Sequence, residues 1–238
     1  MILCRLVMDN YRLEYHKTRK NERTEDIKRR QLMIEIKNLS KGFGEKVLFE
    51  DFSMDIPDGD FLVFAGNSGC GKTTMLNMIG ALEKPDKGKI LVDGTDIYIR
   101  KNQREYFTSK VGFLFQNFAL VESKTARQNL EFVQTKNRTD MTIKETLKNV
   151  GISDKIDTKV YKLSGGEQQR VALARLMLKK CDIILADEPT GSLDDGNAAA
   201  VMDILHKMNE QGKTIILVTH NEKIMAQAKK VVKLSGEN

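Results

Sequence analysis

Apolar residues along this chain come in short blocks whose spacing shifts between two periods. Leu32–Lys37 and Phe52–Ile56 alternate apolar with polar, as strands do when one face is covered. Phe61–Ala65 is continuously apolar, and Asp182–Asp187 and Lys213–Thr219 hold similar runs, the pattern of strands covered on both faces. Lys89–Val92, Val111–Phe115 and Lys230–Leu234 read as further strands. Helical spacing marks Lys72–Leu82, Glu167–Lys180, Asp194–Gln211 and Glu222–Ala228, with Glu167–Lys180 expected to be strongly amphipathic. Strands alternating with helices predict an α/β core on a mainly parallel sheet. Residues 117–163 break the alternation. They hold no convincing buried strand and read as helices near Thr125–Gln134 and Met141–Val150, so a helical subdomain over about 117–180 is expected on the core.

The turn after Phe61–Ala65 carries the first chemistry. Gly66-Asn67-Ser68-Gly69-Cys70-Gly71-Lys72-Thr73 fits G-x4-G-K-[ST], with Thr74 next, and stands between a buried strand and a helix. Glycines there let successive backbone N–H groups converge on one centre, a nest for phosphate oxygens, and the following helix adds its positive end. Lys72 is expected to hold the β and γ phosphates and Thr73 a Mg²⁺ ion. The run Ile183–Ala186 ends in Asp187 and Glu188. A carboxylate at the C-terminal end of a parallel strand lies beside such a loop. Asp187 is expected to bind Mg²⁺, directly or through water, and Glu188 to polarise a water for in-line attack on the γ-phosphate.

Leu163-Ser164-Gly165-Gly166-Glu167-Gln168-Gln169-Arg170 opens another helix. Ser164 and Glu167 have capping-box spacing. The box leaves two helix-weakening glycines in the first turn without a reason, and glycines at a helix start permit close backbone approach to an anion. This run resembles the signature LSGGQ of the ATP-binding cassette (ABC) ATPases, in which Glu is a common variant at the position of Glu167. The resemblance covers about residues 32–235. It implies a P-loop NTPase of the ABC ATPase type: a mainly parallel RecA-like core with an antiparallel β subdomain and a helical insert.

The resemblance implies further site residues. Gln116 matches the glutamine that links metal and water to the helical subdomain. Ser192-Leu193-Asp194 matches the loop that couples two sites across a dimer. His220 matches the histidine that holds the γ-phosphate and Glu188 in register. Phe43 matches the aromatic that stacks on adenine, where tyrosine is more usual. ATP and Mg²⁺ are the implied cofactors. Two such domains pack head to tail, with Ser164, Gly165, Gly166 and Glu167 of one copy against ATP on the phosphate loop of the other. Two identical copies would make two complete sites. The implied reaction is hydrolysis of ATP to ADP and phosphate, closing and opening the dimer to drive a separate transmembrane permease at the cytoplasmic face of the membrane.

Ala186–Asp194 reads ADEPTGSLD, beside FQNFAL at 115–120 and TARQNL at 125–130. These are similar to the MacB/LolD/FtsE-like group and to ATPases of bacteriocin and antimicrobial-peptide exporters. Export of a bacteriocin, peptide or lipid-like substrate is the resulting expectation. The alternatives are an FtsE-like regulatory ATPase and a cytosolic ABC ATPase without a channel.

Composition narrows the rest. No apolar run approaches the ~18–20 residues of a membrane-spanning helix. The net charge is +6, but residues 1–32 hold nine basic and five acidic groups, so they carry +4 and the other 206 residues only +2. A nucleic-acid partner read from the overall charge would rest on that segment, and none is expected. The ATPase domain is expected over 33–238. The preceding segment is expected to be either a basic arm near anionic lipid or, the reading adopted, an initiation site placed too far upstream of Met33. Cys4, Cys70 and Cys181 lack metal-ligand spacing and read as reduced thiols. Thiol modification at Cys70 would block ATP, although an inert small residue is the simpler reading.

Overall fold

The computed structural model describes residues 32–191 and 193–234. The charged segment 1–31, Cys4 and Ser192 lie outside the described residues. Strands β1 (Leu32–Phe43) and β2 (Lys46–Pro57) pair antiparallel across a two-residue turn in which Gly44 has φ 59°, a backbone state open to glycine without strain. β4 (Lys87–Val92) pairs with the other side of β1, and β5 (Thr95–Asp96) completes a four-stranded antiparallel sheet.

The second sheet is parallel. It consists of β3 (Phe61–Ala65), β6 (Val111–Leu114), β7 (Ile183–Asp187), β8 (Thr214–Val218) and β9 (Lys230–Lys233), in the order β6-β7-β8-β3-β9. Every residue of β3 and β8 is buried, as continuous apolar runs require. Alternate side chains serve two cores, following the two-residue period of a strand. Phe61, Val63, Ile184, Ile215 and Leu217 face one cluster, together with the helical insert. Leu62, Phe64, Ile183, Leu185 and Ile216 face the other, with the antiparallel sheet.

The helices are α1 (Lys72–Ile79), α2 (Arg100–Glu105), α3 (Ala126–Glu131), α4 (Ile143–Asn149), α5 (Gly165–Leu178), α6 (Asp195–Glu210) and α7 (Glu222–Met225). Capping boxes start three of them, at Thr125 with Gln128, Thr142 with Glu145, and Ser164 with Glu167. No described helix is long and apolar enough to cross a membrane.

Two elements differ from the sequence reading. Residues 95–110, given no structure above, form β5, then α2 running into a π-helical turn at Tyr106–Lys110. The polar run RKNQRE buries no side chain, so no apolar period announces α2. The helix expected over Glu167–Lys180 is not a one-faced amphipathic helix. Val171, Ala172, Leu173 and Ala174 are consecutive and all buried, because α5 is packed among α3, α4, α6 and β6. Gly112 on β6 lets it approach: a Cβ there would stand 2.4 Å from Leu176 Cδ1.

Candidate functional site

Register sets the level of the site. Phe64 on β3 lies opposite Val218 on β8, and Val218 lies opposite Asp187 on β7. The three strands therefore end together, and the segments after them open on one edge of the sheet, where parallel α/β sheets bind ligands.

The glycines of the loop 66–73 are needed by geometry. Gly66, Gly69 and Gly71 have φ of 147°, 76° and 95°. A Cβ on Gly66 would fall 2.5 Å from the Leu234 carbonyl oxygen, and one on Gly71 2.7 Å from the Phe49 ring. The loop turns into α1 with its N–H groups unclaimed by any side-chain cap, as an anion cradle requires. Lys72 Nζ donates to the carbonyls of Gly66 at 2.9 Å and Asn67 at 2.8 Å. Cys70 is buried, with Sγ under Gly66, so it packs the loop from beneath.

Thr73 Oγ1 donates to Asp187 Oδ1 at 3.2 Å. Burial pushes the Asp187 carboxyl above its usual range; the Thr73 hydroxyl opposes this, the Glu188 charge adds to it, and Lys72 opposes it. No cluster of three metal-ligating His, Cys, Asp or Glu occurs among the described residues. One hydroxyl beside one half-buried carboxylate is instead a partial oxygen set, which fits Mg²⁺ held jointly with phosphate and water.

Glu188 has φ 44°, a left-handed state that costs a non-glycine residue roughly 1 kcal/mol. Its N–H donates to Val218 O at 2.9 Å. One carboxylate oxygen accepts from Thr219 Oγ1 at 3.1 Å and the other pairs with His220 Nδ1 at 2.8 Å. With a carboxylate as partner, Nδ1 carries the hydrogen. The β1–β2 turn brings Phe43 and Lys46 opposite one another at its tip. Phe43 is half exposed, with the Lys41 ammonium 4.8 Å from its ring centroid. Lys46 Nζ donates to Gly69 O at 2.9 Å.

These pieces surround one open cleft of about 400 Å³, lined by Phe43, Ser68, Gly69, Gly71, Lys72, Thr73, Thr74, Gln116, Asp187 and Glu188. Lys46 and Leu48 line it too, and neither was singled out in the sequence. The place of Lys46 depends on its hairpin register with Phe43, which local spacing in the sequence does not announce. Thr219, just before His220, belongs to no motif and enters the site only through its hydrogen bond to the Glu188 carboxylate.

The remaining predicted residues stand elsewhere. Ser164 caps α5, its hydroxyl accepting from Glu167 N at 3.3 Å while Glu167 Oε2 accepts from Ser164 N at 2.8 Å. Apart from its own helix turn, a Cβ on Gly165 would meet nothing within 4 Å among the described residues. Asp194 caps α6, accepting from Asn197 N at 2.9 Å, and that backbone bond holds its carboxyl below the usual range. Asn197 also bonds Arg170 of α5, so the two helix starts are tied together. Within one chain, then, the predicted residues form two groups, and Ser164, Gly165, Gly166, Glu167 and Asp194 are not among those lining the cleft.

A family model described as ABC transporter matches residues 49–191. An uncharacterized ABC transporter ATP-binding protein, MJ1508 of Methanocaldococcus jannaschii, is 39% identical over 213 residues, covering 85% of this chain and 95% of that protein. The macrolide export ATP-binding/permease protein MacB of Campylobacter jejuni is 39% identical over 209 residues. The match covers 85% of this chain but only 33% of MacB, so the chain spans about a third of the length of that relative. The dimeric structure of the bacterial ABC transporter cassette MJ0796 superposes with a TM-score of 0.77 at 35% identity, covering 85% of this chain and 94% of that one. The same cassette is known as a dimer bound to ADP and Pi, with a TM-score of 0.76, 33% identity and coverage of 86% and 95%.

Proposed function

This chain belongs to the ABC transporter family as one of its ATP-binding cassettes, and from that premise we propose that it hydrolyses ATP in a head-to-tail homodimer to drive a separate membrane permease. The observation that carries the reading is the Glu188 carboxylate, held by Thr219 and His220 at the rim of the phosphate-loop cleft. Adenine stacks on Phe43, and the phosphates lie along Gly66–Thr74 with Lys72 turned from its own loop carbonyls toward them. Thr73, Asp187 and Gln116 hold Mg²⁺, which when bound neutralises charge developing on the phosphates. Glu188 accepts a proton from the attacking water, and the Nδ1–H of His220 fixes the carboxylate's orientation. Ser164, Gly165, Gly166 and Glu167 of the second copy complete the site, and Asp194 couples the two sites. The ATPase domain begins near Met33, with the helical subdomain over about 117–180. The chain works at the cytoplasmic face of the membrane through its permease, and the substrate is a bacteriocin, peptide or lipid-like molecule moved outward. The export assignment is supported by the likeness to MacB, a macrolide export protein.

Glu188→Gln keeps the side chain's size and removes its basicity. The variant is expected to bind ATP with parental affinity, to lose hydrolysis by at least about a hundredfold, and to sediment as a dimer with ATP. Near-parental steady-state hydrolysis would exclude the role given to Glu188. Purification from native membranes tests the partner: a multi-span protein is expected to accompany the chain.

A further inference from the structure

Gln169 lies just over one turn into α5, and its side chain is almost fully buried at 1% exposure. Nε2 donates to the Pro189 carbonyl at 2.7 Å. Oε1 has no hydrogen-bond partner among the described residues. The amide orientation follows from chemistry, since a flipped amide would set its oxygen against another acceptor. The side chain is therefore tied at one end to the backbone of α5 and at the other to the residue after Glu188. A buried donor–acceptor pair of this kind is costly to break, because neither group can turn to water.

Glu188 itself holds a left-handed backbone, with its carbonyl accepting from Gly191 N at 3.2 Å. That tight turn keeps its geometry only while its surroundings over-determine it. Thr219 and His220 hold the carboxylate; Gln169 holds the next peptide. The helix that supplies this amide begins at Ser164.

We propose that Gln169 is a positioning residue for hydrolysis, setting the Glu188 turn against α5 so that displacement of the Ser164 end of the helix is passed to the carboxylate. This rests on the reading of Glu188 given above. The nucleotide cleft does not include Gln169, so binding and turnover should separate on its substitution.

The full-length chain is assayed with Gln169→Met, which keeps the volume and removes the donor, and with Gln169→Glu, which donates only when protonated. Binding of a fluorescent ATP analogue and steady-state hydrolysis are measured from pH 5.5 to 8.5. Gln169→Met is expected to bind within about twofold of the parent and to lose about tenfold in kcat at unchanged KM, the size of one lost hydrogen bond. Gln169→Glu is expected to regain kcat, relative to the parent at each pH, as pH falls and the carboxyl recovers a proton to donate to Pro189 O. A kcat within twofold of the parent for Gln169→Met, or a loss matched by an equal rise in the dissociation constant, overturns the proposal. If Gln169→Met does not fold, the Gln169→Glu profile decides: a pH dependence parallel to the parent's overturns it. A parental chain that binds no ATP overturns the functional reading as well, whereas an active parent with an indifferent Gln169 overturns this inference alone.

Discussion

Asp187 sits where a charge is costly. Burial raises its pKa in the folded chain above its unfolded value, so the fold disfavours the ionised carboxylate. The sign follows from linkage. Above the folded pKa the ionised group subtracts stability; below the unfolded pKa both states are protonated and the penalty is gone. Asp187→Asn keeps an acceptor for the Thr73 hydroxyl and removes the charge. It is expected to raise the melting temperature by roughly 1–3 °C at pH 8 in metal-free buffer, with the gain shrinking toward pH 4. Calorimetry over a pH series checks this, and a gain that does not vary with pH contradicts burial as the cause. At this scale the sequence was most legible where chemistry repeats a fixed spacing, as in residues 66–73 and 187–188. Lys46, Thr219 and Gln169 are ordinary residues there. They matter through a hairpin register, a neighbour's carboxylate and a buried carbonyl, none of which follows from local spacing.

At the scale of elements, α5 carries a contradiction that its own packing does not resolve. Gly166 has a local reason, since a Cβ there would press to 3.3 Å from Asn197 Nδ2. Gly165 has none: its φ is not in the left-handed region and, its own helix turn apart, no atom of the described residues lies within 4 Å of where a Cβ would stand. Within one chain, alanine should be better at this position, by about 0.5–1 kcal/mol of helix propensity. Gly165→Ala is thus expected to raise the melting temperature by roughly 1–3 °C while cutting ATP hydrolysis by tenfold or more, because in the proposed head-to-tail dimer the added methyl would stand against the ATP held by the second copy. Differential scanning fluorimetry beside a phosphate-release assay separates the two effects. Equal stability and full activity would leave the glycine without a role. The capping box at Ser164 and the buried strands were readable because each is decided within a few residues. The consecutive burial of Val171–Ala174 in α5 and the polar helix α2 were not, because the first depends on which elements pack around α5 and the second buries no apolar face.

At the scale of the molecule, the two groups of predicted residues make a prediction about assembly. If each active site takes Lys72 from one copy and Gly165 from the other, two inactive chains should rescue each other when mixed. Lys72→Ala spoils the site that uses its own phosphate loop. Gly165→Glu spoils the site that uses its own α5 start, by placing a negative charge against the phosphates. In a mixed dimer both lesions fall into one site, and the second site receives an intact loop from one chain and an intact helix start from the other. Random pairing makes half the dimers mixed, each with one working site of two, so an equimolar mixture is expected to recover about a quarter of parental hydrolysis if the sites fire independently. Cooperation between sites lowers that fraction without abolishing it. The activity of the parental chain should in the same assay rise more steeply than linearly with its own concentration below the dimer dissociation constant. Complete sites within single chains would give a different pattern: Gly165→Glu alone would stay active, the mixture would show only its half share, and rate would scale linearly with protein.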